Sequence, residues 1–224
     1  MRVHGDPRPR VITADEAASL IPDSATLAIE SSGGGVGEPT RLLSAVRDRY
    51  ARERHPAGIT ILHASGLGNQ AGLGSDLLSE DGLLKRVVIG HYGMTPKLSE
   101  LATQNRFEAY CLPQGVLAEL FREIAGGRPG LITHIGLGTF VDPRLGGGRV
   151  NDAAADDIVE LVEIGGREWI LYPSIPLDVV FIRGSTIDEL GNLSMELEAA
   201  RLSEFSAAAA GRNSGGIVIA QAKR

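Results

Sequence analysis

A glycine-rich segment between an apolar run and a periodic segment constrains the fold more than any other part of this sequence. The apolar residues 27–29 lead into four glycines within residues 33–37, and Glu38-Pro39 then opens a segment with apolar residues at helical spacing. This order predicts a strand, a loop and a helix, because glycine accepts positive φ and proline is preset for the first helical turn. Free N–H groups of the loop and of the helix start can bind phosphate, pyrophosphate or carboxylate. A tight turn that binds nothing is the alternative.

The same segment matches the dinucleotide-binding fingerprint only in part. Gly33 and Gly35 satisfy its first two glycines, but the third glycine position falls on Glu38. The charged residues 47–49 lie in the predicted helix, not at the end of a second strand, where a ribose-binding acidic residue is expected. A dehydrogenase is therefore a distant alternative.

Apolar runs that end in small residues recur along the chain. They occupy residues 59–62, 87–89, 107–112 and 130–135. Helical patterns separate them, and the runs lack polar alternation, so the sequence predicts an α/β fold with an open, mainly parallel sheet and helices on both faces. Ligands of such folds bind at the carboxyl ends of the strands. Five loops are predicted at these ends, over residues 33–37, 63–68, 90–93, 113–115 and 136–139.

The remaining segments complete the predicted organisation. Thr13 and Glu16 have capping-box spacing, which predicts a short first helix. Residues 158–172 form a hairpin pattern around Gly165-Gly166. A strand over residues 177–182, a helix over 199–210 and a strand over 216–220 follow. The length of 224 residues suits one large domain, so we expect a disordered extension over residues 1–10 and one domain over residues 11–224.

Composition excludes several classes of function. The net charge of −6 argues against generic binding to nucleic acid or to anionic membranes. The single cysteine, Cys111, rules out an internal disulfide and fits a reducing cytoplasm. No apolar run reaches 18 residues, and the basic N-terminus lacks the apolar region of a signal peptide. We therefore expect a cytoplasmic protein that contacts neither nucleic acid nor membrane.

Three motifs are more specific than the glycine loop. They are Pro-Gln-Gly at residues 113–115 before a helix, Gly-Leu-Gly-Thr-Phe-Val-Asp-Pro at residues 136–143, and Arg-Gly-Ser-Thr at residues 183–186 followed by Gly-Asn-Leu at 191–193. With these motifs the chain resembles the α half of family I coenzyme A transferases, the 3-oxoacid, acetate and propionate group. The resemblance covers nearly all of residues 11–224, in order. It implies the CoA-transferase α-domain fold, which is NagB/RpiA-like.

The resemblance also implies a partner and a mechanism. The α half pairs with a β half, which is either a separate subunit or the second half of a fused chain, and residue 224 falls where a fused enzyme would continue. A glutamate of the β half attacks an acyl-CoA thioester, and a short carboxylic acid then takes the CoA from the glutamyl-CoA intermediate. No catalytic nucleophile is therefore expected in this chain. The resemblance implies no metal and no resident cofactor, since coenzyme A is a substrate.

Site residues follow from the same resemblance. The CoA-contacting positions implied are Ser31, Ser32, Gly33, Gly34, Gly35, Val36 and Gly37. The substrate-binding positions implied are Gln114, Gly115, Gly136 and Gly138. The Gln114 amide offers one acceptor and two donors to a thioester oxygen or a carboxylate, and a hydrogen bond within the helix start is its alternative role. The glycines let a substrate approach the backbone.

One departure from the family pattern precedes the glycines. Relatives usually carry a small residue and then a Gly-Phe pair where this chain has Glu30-Ser31-Ser32. A carboxylate beside a CoA phosphate would be repulsive, so we expect Glu30 to turn away into a salt bridge. Glu30 and Glu38 are interpreted as structural, not as nucleophiles.

Several isolated polar residues have structural interpretations. His63, His91 and His134 lie near predicted strand ends, match no metal-binding spacing and are expected to be lining or core residues. Arg183 is expected to pair with the Asp188-Glu189 turn more readily than with a phosphate. The acidic residues at 156, 157 and 160 are expected to be solvated.

Two further functional classes remain open. Some CoA-transferase-like proteins hydrolyse a CoA thioester, or open a ring of a CoA-bound ketone, without the glutamate. A non-catalytic half that binds CoA or a phosphorylated metabolite is the other possibility.

Overall fold

The computed structural model describes residues 9–224, which contain five α-helices and eleven strands. The helices are α1 (Ala14–Ser19), α2 (Thr40–Glu53), α3 (Pro96–Thr103), α4 (Gln114–Ala125) and α5 (Glu204–Asn213). The strands are β1 (Thr26–Ile29), β2 (Ile59–His63), β3 (Leu84–Ile89), β4 (Glu108–Cys111), β5 (Gly130–Thr133), β6 (Glu160–Ile164), β7 (Arg167–Pro173), β8 (Val179–Gly184), β9 (Thr186–Ile187), β10 (Leu193–Ser194) and β11 (Ile217–Ala222). The predicted extension lies outside the described residues except for residues 9 and 10.

A six-stranded parallel sheet forms the centre, in the order β11-β8-β1-β2-β3-β4. Successive residues of β1 enter different cores, because Leu27 and Ile29 face one side and Ala28 faces the other. Helices α1, α2 and α3 cover the first side, and α4 and α5 cover the second. Burial on both faces explains the continuous apolar runs. The predicted open parallel sheet with helices on both faces is confirmed.

A second sheet holds β5, β7 and β6 in antiparallel pairing. The predicted hairpin is confirmed, and Gly165 and Gly166 adopt φ values of 62° and 72° at its turn. The prediction that the run at 130–135 continues the parallel alternation is wrong. Its residues pair antiparallel with β7, so that Leu131 lies opposite Tyr172.

Another segment takes the place beside β4 that β5 would have filled. The N–H of Cys111 donates to Gly148 O at 2.8 Å, and the N–H of Val150 donates to Ala109 O at 2.8 Å. Residues 148–150 thus run along the outer edge of β4, and β5 pairs with the hairpin instead. As a consequence, the loop at residues 136–139 does not follow a strand of the parallel sheet.

The predicted start of the first helix is confirmed, whereas the last helix begins later than predicted. The capping box of α1 forms, with Thr13 N donating to Glu16 Oε2 at 2.7 Å and Glu16 N donating to Thr13 Oγ1 at 3.2 Å. Helix α5 begins at Glu204, not at residue 199. The carboxylates of two glutamates hold the N–H groups of Leu202 and Ser203 just before it.

The acidic residues Asp156, Asp157 and Glu160 are exposed, as predicted, and two of them form ion pairs. Arg86 contacts both Glu108 and Asp156, and its guanidinium lies 5.6 Å from the centroid of the Tyr110 ring. Arg149 contacts Asp157. These pairs connect the edge of the parallel sheet to the segment before β6.

No helix in the described range, residues 9–224, has both the length and the apolar character needed to cross a bilayer.

Replacing Asn151 by alanine is expected to destabilise the fold. The Asn151 side chain accepts the N–H of Ala109 at 3.1 Å and donates to Ala102 O at 2.8 Å and Phe107 O at 2.9 Å. Its loss removes three hydrogen bonds to the backbone, so the free energy of unfolding should fall by about 2–3 kcal/mol. Urea unfolding followed by circular dichroism measures the change.

The matched control is Asp152→Ala at the next, exposed position, which should change the free energy of unfolding by less than about 0.5 kcal/mol. Asn151→Asp should be at least as destabilising as Asn151→Ala, because a carboxylate would face two carbonyl oxygens. Equal stability of Asn151→Ala and the parent protein would contradict the assignment.

Candidate functional site

The loops after β1, β2 and β3 meet at the carboxyl ends of the parallel strands. The N–H of Gly34 donates to Gly68 O at 2.8 Å, and the hydroxyls of Ser32 and Ser65 lie 3.3 Å apart. A Cβ at Gly33 would lie 3.5 Å from Cγ of Met94. Three of the five predicted loops therefore form one surface.

Glycines permit the closest approaches within this surface. A Cβ at Gly66 would overlap the imidazole ring of His91, and a Cβ at Gly90 would overlap both Ala64 O and Cγ of Gln114. No other residue type fits at either position without moving backbone or ring. The second contact brings a fourth predicted loop, residues 113–115, against the ends of β2 and β3.

The glycine loop at residues 31–37 is partly held by its own hydrogen bonds. The N–H of Ser32 donates to Val36 O at 2.9 Å, and the Ser31 hydroxyl donates to the same oxygen at 3.2 Å. Gly34, Gly35 and Gly37 adopt positive φ values of 76°, 85° and 66°. At Gly34 and Gly35 a Cβ would meet nothing within 4 Å. The tip of the loop thus faces open space, although the N–H groups of Ser32 and Gly34 are already used within the protein.

Gln114 is the exposed first residue of α4. Within residues 9–224 its side-chain amide has no hydrogen-bond partner, so the alternative role in the helix start is not observed. The preceding strand also contacts this region, because the Cys111 thiol donates to Gly90 O at 3.2 Å. Gln114 and the exposed Gly115 therefore offer one free amide side chain and one accessible backbone at the cleft.

Gly136 and Gly138 belong to a different loop, ordered around a buried aspartate. A Cβ at Gly136 would lie 2.5 Å from the Tyr172 hydroxyl oxygen. Asp142 accepts the N–H of Gly138 at 3.0 Å and the Arg144 guanidinium at 2.8 Å. These bonds, the one from Arg144 foremost, hold the pKa of Asp142 well below its usual range. The described contacts do not join either glycine to the glycine loop or to Gln114.

Glu30 does not form the salt bridge expected for it. Its side chain is 3% exposed, and one carboxylate oxygen accepts the N–H of Ser203 at 3.0 Å. The other oxygen has no partner, and no cation of the described chain contacts the group. Burial raises the pKa of Glu30 to about 7; the hydrogen bond from Ser203 opposes this shift and the nearby Glu204 adds to it. The carboxyl therefore joins the end of β1 to the start of α5.

Glu204 is a site-adjacent residue that sequence analysis missed. It is buried, accepts the N–H of Leu202 at 2.9 Å, and has its Oε1 atom 3.7 Å from the Cβ position of Gly37. Burial raises the pKa of this carboxyl as well. No signal in the sequence pointed to it, because Glu204 lay in the middle of the helix predicted over residues 199–210.

Glu38 and Arg183 hold backbone groups next to the glycine loop. Glu38 is buried and accepts the Thr40 hydroxyl at 2.9 Å and the N–H of Gly74 at 3.1 Å. Arg183 donates to the backbone oxygen of Glu38 at 3.1 Å and lies 3.5 Å from the carboxylate of Glu198. The expected pairing of Arg183 with the Asp188-Glu189 turn is wrong, because Asp188 accepts N–H groups of its own turn.

The three histidines occupy different environments. His63 is fully buried, its Nε2 atom lies 2.8 Å from the Ser75 hydroxyl, and burial lowers its pKa to about 4. His91 lines the cleft against Gly66, whereas His134 packs edge-on against Trp169 with ring centroids 6.4 Å apart. Residues 9–224 contain no cluster of three or more His, Cys, Asp or Glu side chains arranged to hold a metal ion.

Replacing Glu30 by glutamine is expected to stabilise the protein more strongly as the pH rises. The pKa of the carboxyl is raised from 4.5 to about 7 in the folded protein, so its contribution to stability is lost as the pH rises through this interval. Glutamine does not ionise. The difference in free energy of unfolding between variant and parent should grow by about 1–3 kcal/mol from pH 5 to pH 8, as measured by urea unfolding.

Glu119→Gln on the exposed face of α4 serves as the control, and its stability difference from the parent should be alike at both pH values. A Glu30→Gln difference that is equal or smaller at pH 8 would show that Glu30 ionises freely in the folded protein.

Known proteins resemble the whole of the described structure. The coenzyme A transferase family model matches residues 11–222. The acetate CoA-transferase YdiF of Escherichia coli (strain K12) is 41% identical over 223 residues, which are 100% of this chain and 42% of that protein. The crystal structure of the acyl-CoA transferase YdiF from Escherichia coli O157:H7, in a thioester complex with CoA, has a TM-score of 0.94 at 41% identity and covers 96% of this chain and 42% of its own.

A shorter relative shows which part of a family member this chain matches. The alpha subunit of the acetate CoA-transferase of Escherichia coli (strain K12) is 25% identical over 203 residues, which are 90% of this chain and 81% of that subunit. The chain thus spans 42% of the length of YdiF and most of a separate alpha subunit. We conclude that the chain belongs to the coenzyme A transferase family, in which it corresponds to the α half of the family I enzymes.

Proposed function

We propose that this chain is the α portion of an acyl-CoA:carboxylate CoA-transferase and is active together with a β portion. One observation carries the proposal. The cleft at the ends of β1, β2 and β3 presents a free amide and a glycine loop, whereas the carboxyls of Glu30 and Glu38 are buried and hold backbone groups. The cleft can therefore bind and polarise a thioester, and its nucleophile comes from outside this chain.

The proposed chemistry assigns Gln114 to the thioester oxygen. A glutamate of the β portion attacks the acyl carbonyl and expels the CoA thiolate, which gives a mixed acid anhydride. The thiolate then attacks the glutamyl carbonyl of the anhydride, so that the donor acid leaves as a carboxylate and a glutamyl-CoA thioester remains. The acceptor carboxylate attacks this thioester, and the same two steps in reverse give the new acyl-CoA and free the glutamate. Each addition places negative charge on a carbonyl oxygen, which an N–H of Gln114 stabilises without competing as a nucleophile.

The glycine loop is proposed to contact coenzyme A, which is a substrate and not a resident cofactor. The N–H groups of Ser32 and Gly34 are used within the protein, whereas the Cβ positions of Gly34 and Gly35 in this loop, residues 31–37, face open space. Backbone donors near a helix start favour phosphate oxygens. Gly115 is proposed to let the acyl group approach the backbone, and Gly136 and Gly138 are proposed, from the family resemblance, to let substrate approach the backbone of their own loop.

An exposed aromatic side chain beside the loop supports a β partner here. Phe205 is 87% exposed, and it follows Glu204, which lies against Gly37. Leu197 is 60% exposed. A partner that brings a glutamate to the cleft would cover both side chains and bury their apolar surface. We propose a hetero-oligomer, or two halves of one longer chain, in a reducing cytoplasm.

The proposed substrates are short-chain acyl-CoA thioesters and short carboxylic acids. Two of the relatives are acetate CoA-transferases, and the 3-oxoacid and propionate groups are alternatives within the same class. A chain of net charge −6 gives no reason to propose nucleic acid or membrane as a partner.

Transfer activity is expected only when the two portions are combined. The chain alone, and the chain mixed with the remaining C-terminal portion of YdiF, are incubated with acetyl-CoA and propionate. Propionyl-CoA measured by chromatography should appear only in the mixture, because the nucleophile is absent from the cleft. Free CoA without propionyl-CoA in the mixture would indicate hydrolysis, and transfer by the chain alone would mean that Glu30 or Glu38 acts as nucleophile.

Gln114→Ala is expected to lower kcat of the combined enzyme by about 10²-fold, with a smaller effect on KM for acyl-CoA, because it removes a donor to the developing oxyanion. Gln104→Ala, at the exposed end of α3, is the matched control and should leave kcat unchanged. Full kcat in Gln114→Ala would remove Gln114 from the proposed mechanism.

A further inference from the structure

The three-stranded sheet has an apolar surface that faces away from the parallel sheet. Along β7, Ile170 and Tyr172 enter the core next to α4, so Arg167, Trp169 and Leu171 point the other way. Register places Ile132 opposite Leu171, Val162 opposite Trp169, and Ile164 opposite Arg167. Five apolar side chains form this surface, which we name the outer face. These are Ile132, Val162, Ile164, Trp169 and Leu171.

The outer face is more apolar than the solvent side of an antiparallel sheet usually is. Ile132 is 44% exposed and Ile164 is 50% exposed, although both are aliphatic. The indole N–H of Trp169 donates to Ile164 O at 3.3 Å. The polar atom of the indole is therefore satisfied, and the rest of its partly buried ring adds apolar surface. The strip can therefore be buried in a contact without leaving the indole N–H unpaired.

Opposite charges flank this strip at its two ends. Arg167 lies at one end, beside Ile164, and Glu160 lies at the other, beside Leu171. Both side chains belong to exposed residues, and neither has an ion-pair partner in the described part of the chain. Four residues of β7 separate the two ends, a distance of about 13 Å along the strand.

This arrangement of charge is self-complementary. A two-fold axis can lie in the plane of the interface and run across the strands at the level of Trp169. This axis reverses the strand direction between the two copies. Arg167 of one copy then lies over the end of the outer face that carries Glu160 in the other copy. The same operation applies in return, as an isologous contact requires. Trp169 lies near the axis and meets Trp169 of the second copy.

We propose that the outer face binds the outer face of a second copy of this chain. The inference does not rest on the proposed function, because the face lies on the three-stranded sheet and not at the cleft. Strand spacings give the face dimensions of about 14 by 17 Å, which is small beside the roughly 800 Å² per partner of a standard interface. Association through so small a face should be weak and reversible, and visible only at high chain concentration.

Sedimentation velocity over 1–200 μM chain tests the proposal, together with emission from the single tryptophan, Trp169. The parent protein should pass from monomer to dimer, with a blue shift of emission as Trp169 is buried. Arg167→Glu and Glu160→Arg should each weaken dimerisation at least about tenfold, since each places like charges together. The double variant should restore the dissociation constant to within about threefold of the parent value.

Glu163→Arg is the matched control, because Glu163 is an exposed β6 residue on the opposite side of the strand, and it should leave dimerisation unchanged. Circular dichroism confirms that each variant is folded. A parent protein that stays monomeric at 200 μM overturns the proposal, as does a double variant that fails to recover. Loss of binding to the C-terminal portion of YdiF in Arg167→Glu, without a change in self-association, would assign the face to the β portion instead.

Discussion

Burial of the parallel sheet on both faces is the constraint on which the rest of the structure depends. Helices occupy both sides of the sheet, so the strand ends are where a ligand can reach it. Several loops pack closely together at that edge, and the closest approaches occur at glycines, which have no side chain. Gly90 admits Gln114 against the end of β3, and Gly66 admits the ring of His91. The cleft is thus built from backbone and neutral side chains.

Buried carboxyls connect this cleft to the start of α5. Glu30 and Glu204 each hold an N–H before α5, and each keeps one oxygen without a partner. A buried carboxylate oxygen without a hydrogen-bond partner disfavours the charged form of its carboxyl group. With a pKa of about 7, Glu30 is about half protonated at neutral pH, which weakens the repulsion that a full charge would exert on an anionic ligand of the glycine loop. The acidic residue before the glycines is therefore compatible with a site for anions.

The parts of the fold that depend on neighbouring residues were predictable from sequence. The capping box at Thr13, the hairpin at Gly165-Gly166 and the strand, loop and helix around residues 26–53 all follow from local spacing. Strand β5 was misplaced because an apolar run has the same pattern in either sheet. Its pairing was decided by residues 148–150, which occupy the β4 edge through backbone hydrogen bonds that their sequence does not indicate.

The candidate site was predictable to a different extent. The glycine loop and Gln114 followed from the family resemblance. The contact between Gln114 and Gly90 did not, because it depends on how two loops distant in sequence meet in space. Glu204 and the partners of Arg183 were missed, because they arise where distant segments meet in space.

The strand order also has a consequence for how the chain folds during synthesis. Strands β1 to β4 emerge in the order in which they pair, but the other neighbour of β1 is β8, which begins some 150 residues later at Val179. Until β8 and then β11 are made, one edge of a hydrophobic sheet stays open. Such long-range pairing slows folding and exposes an aggregation-prone edge. A nascent chain of this fold therefore carries an unpaired β1 edge throughout the synthesis of residues 130–178.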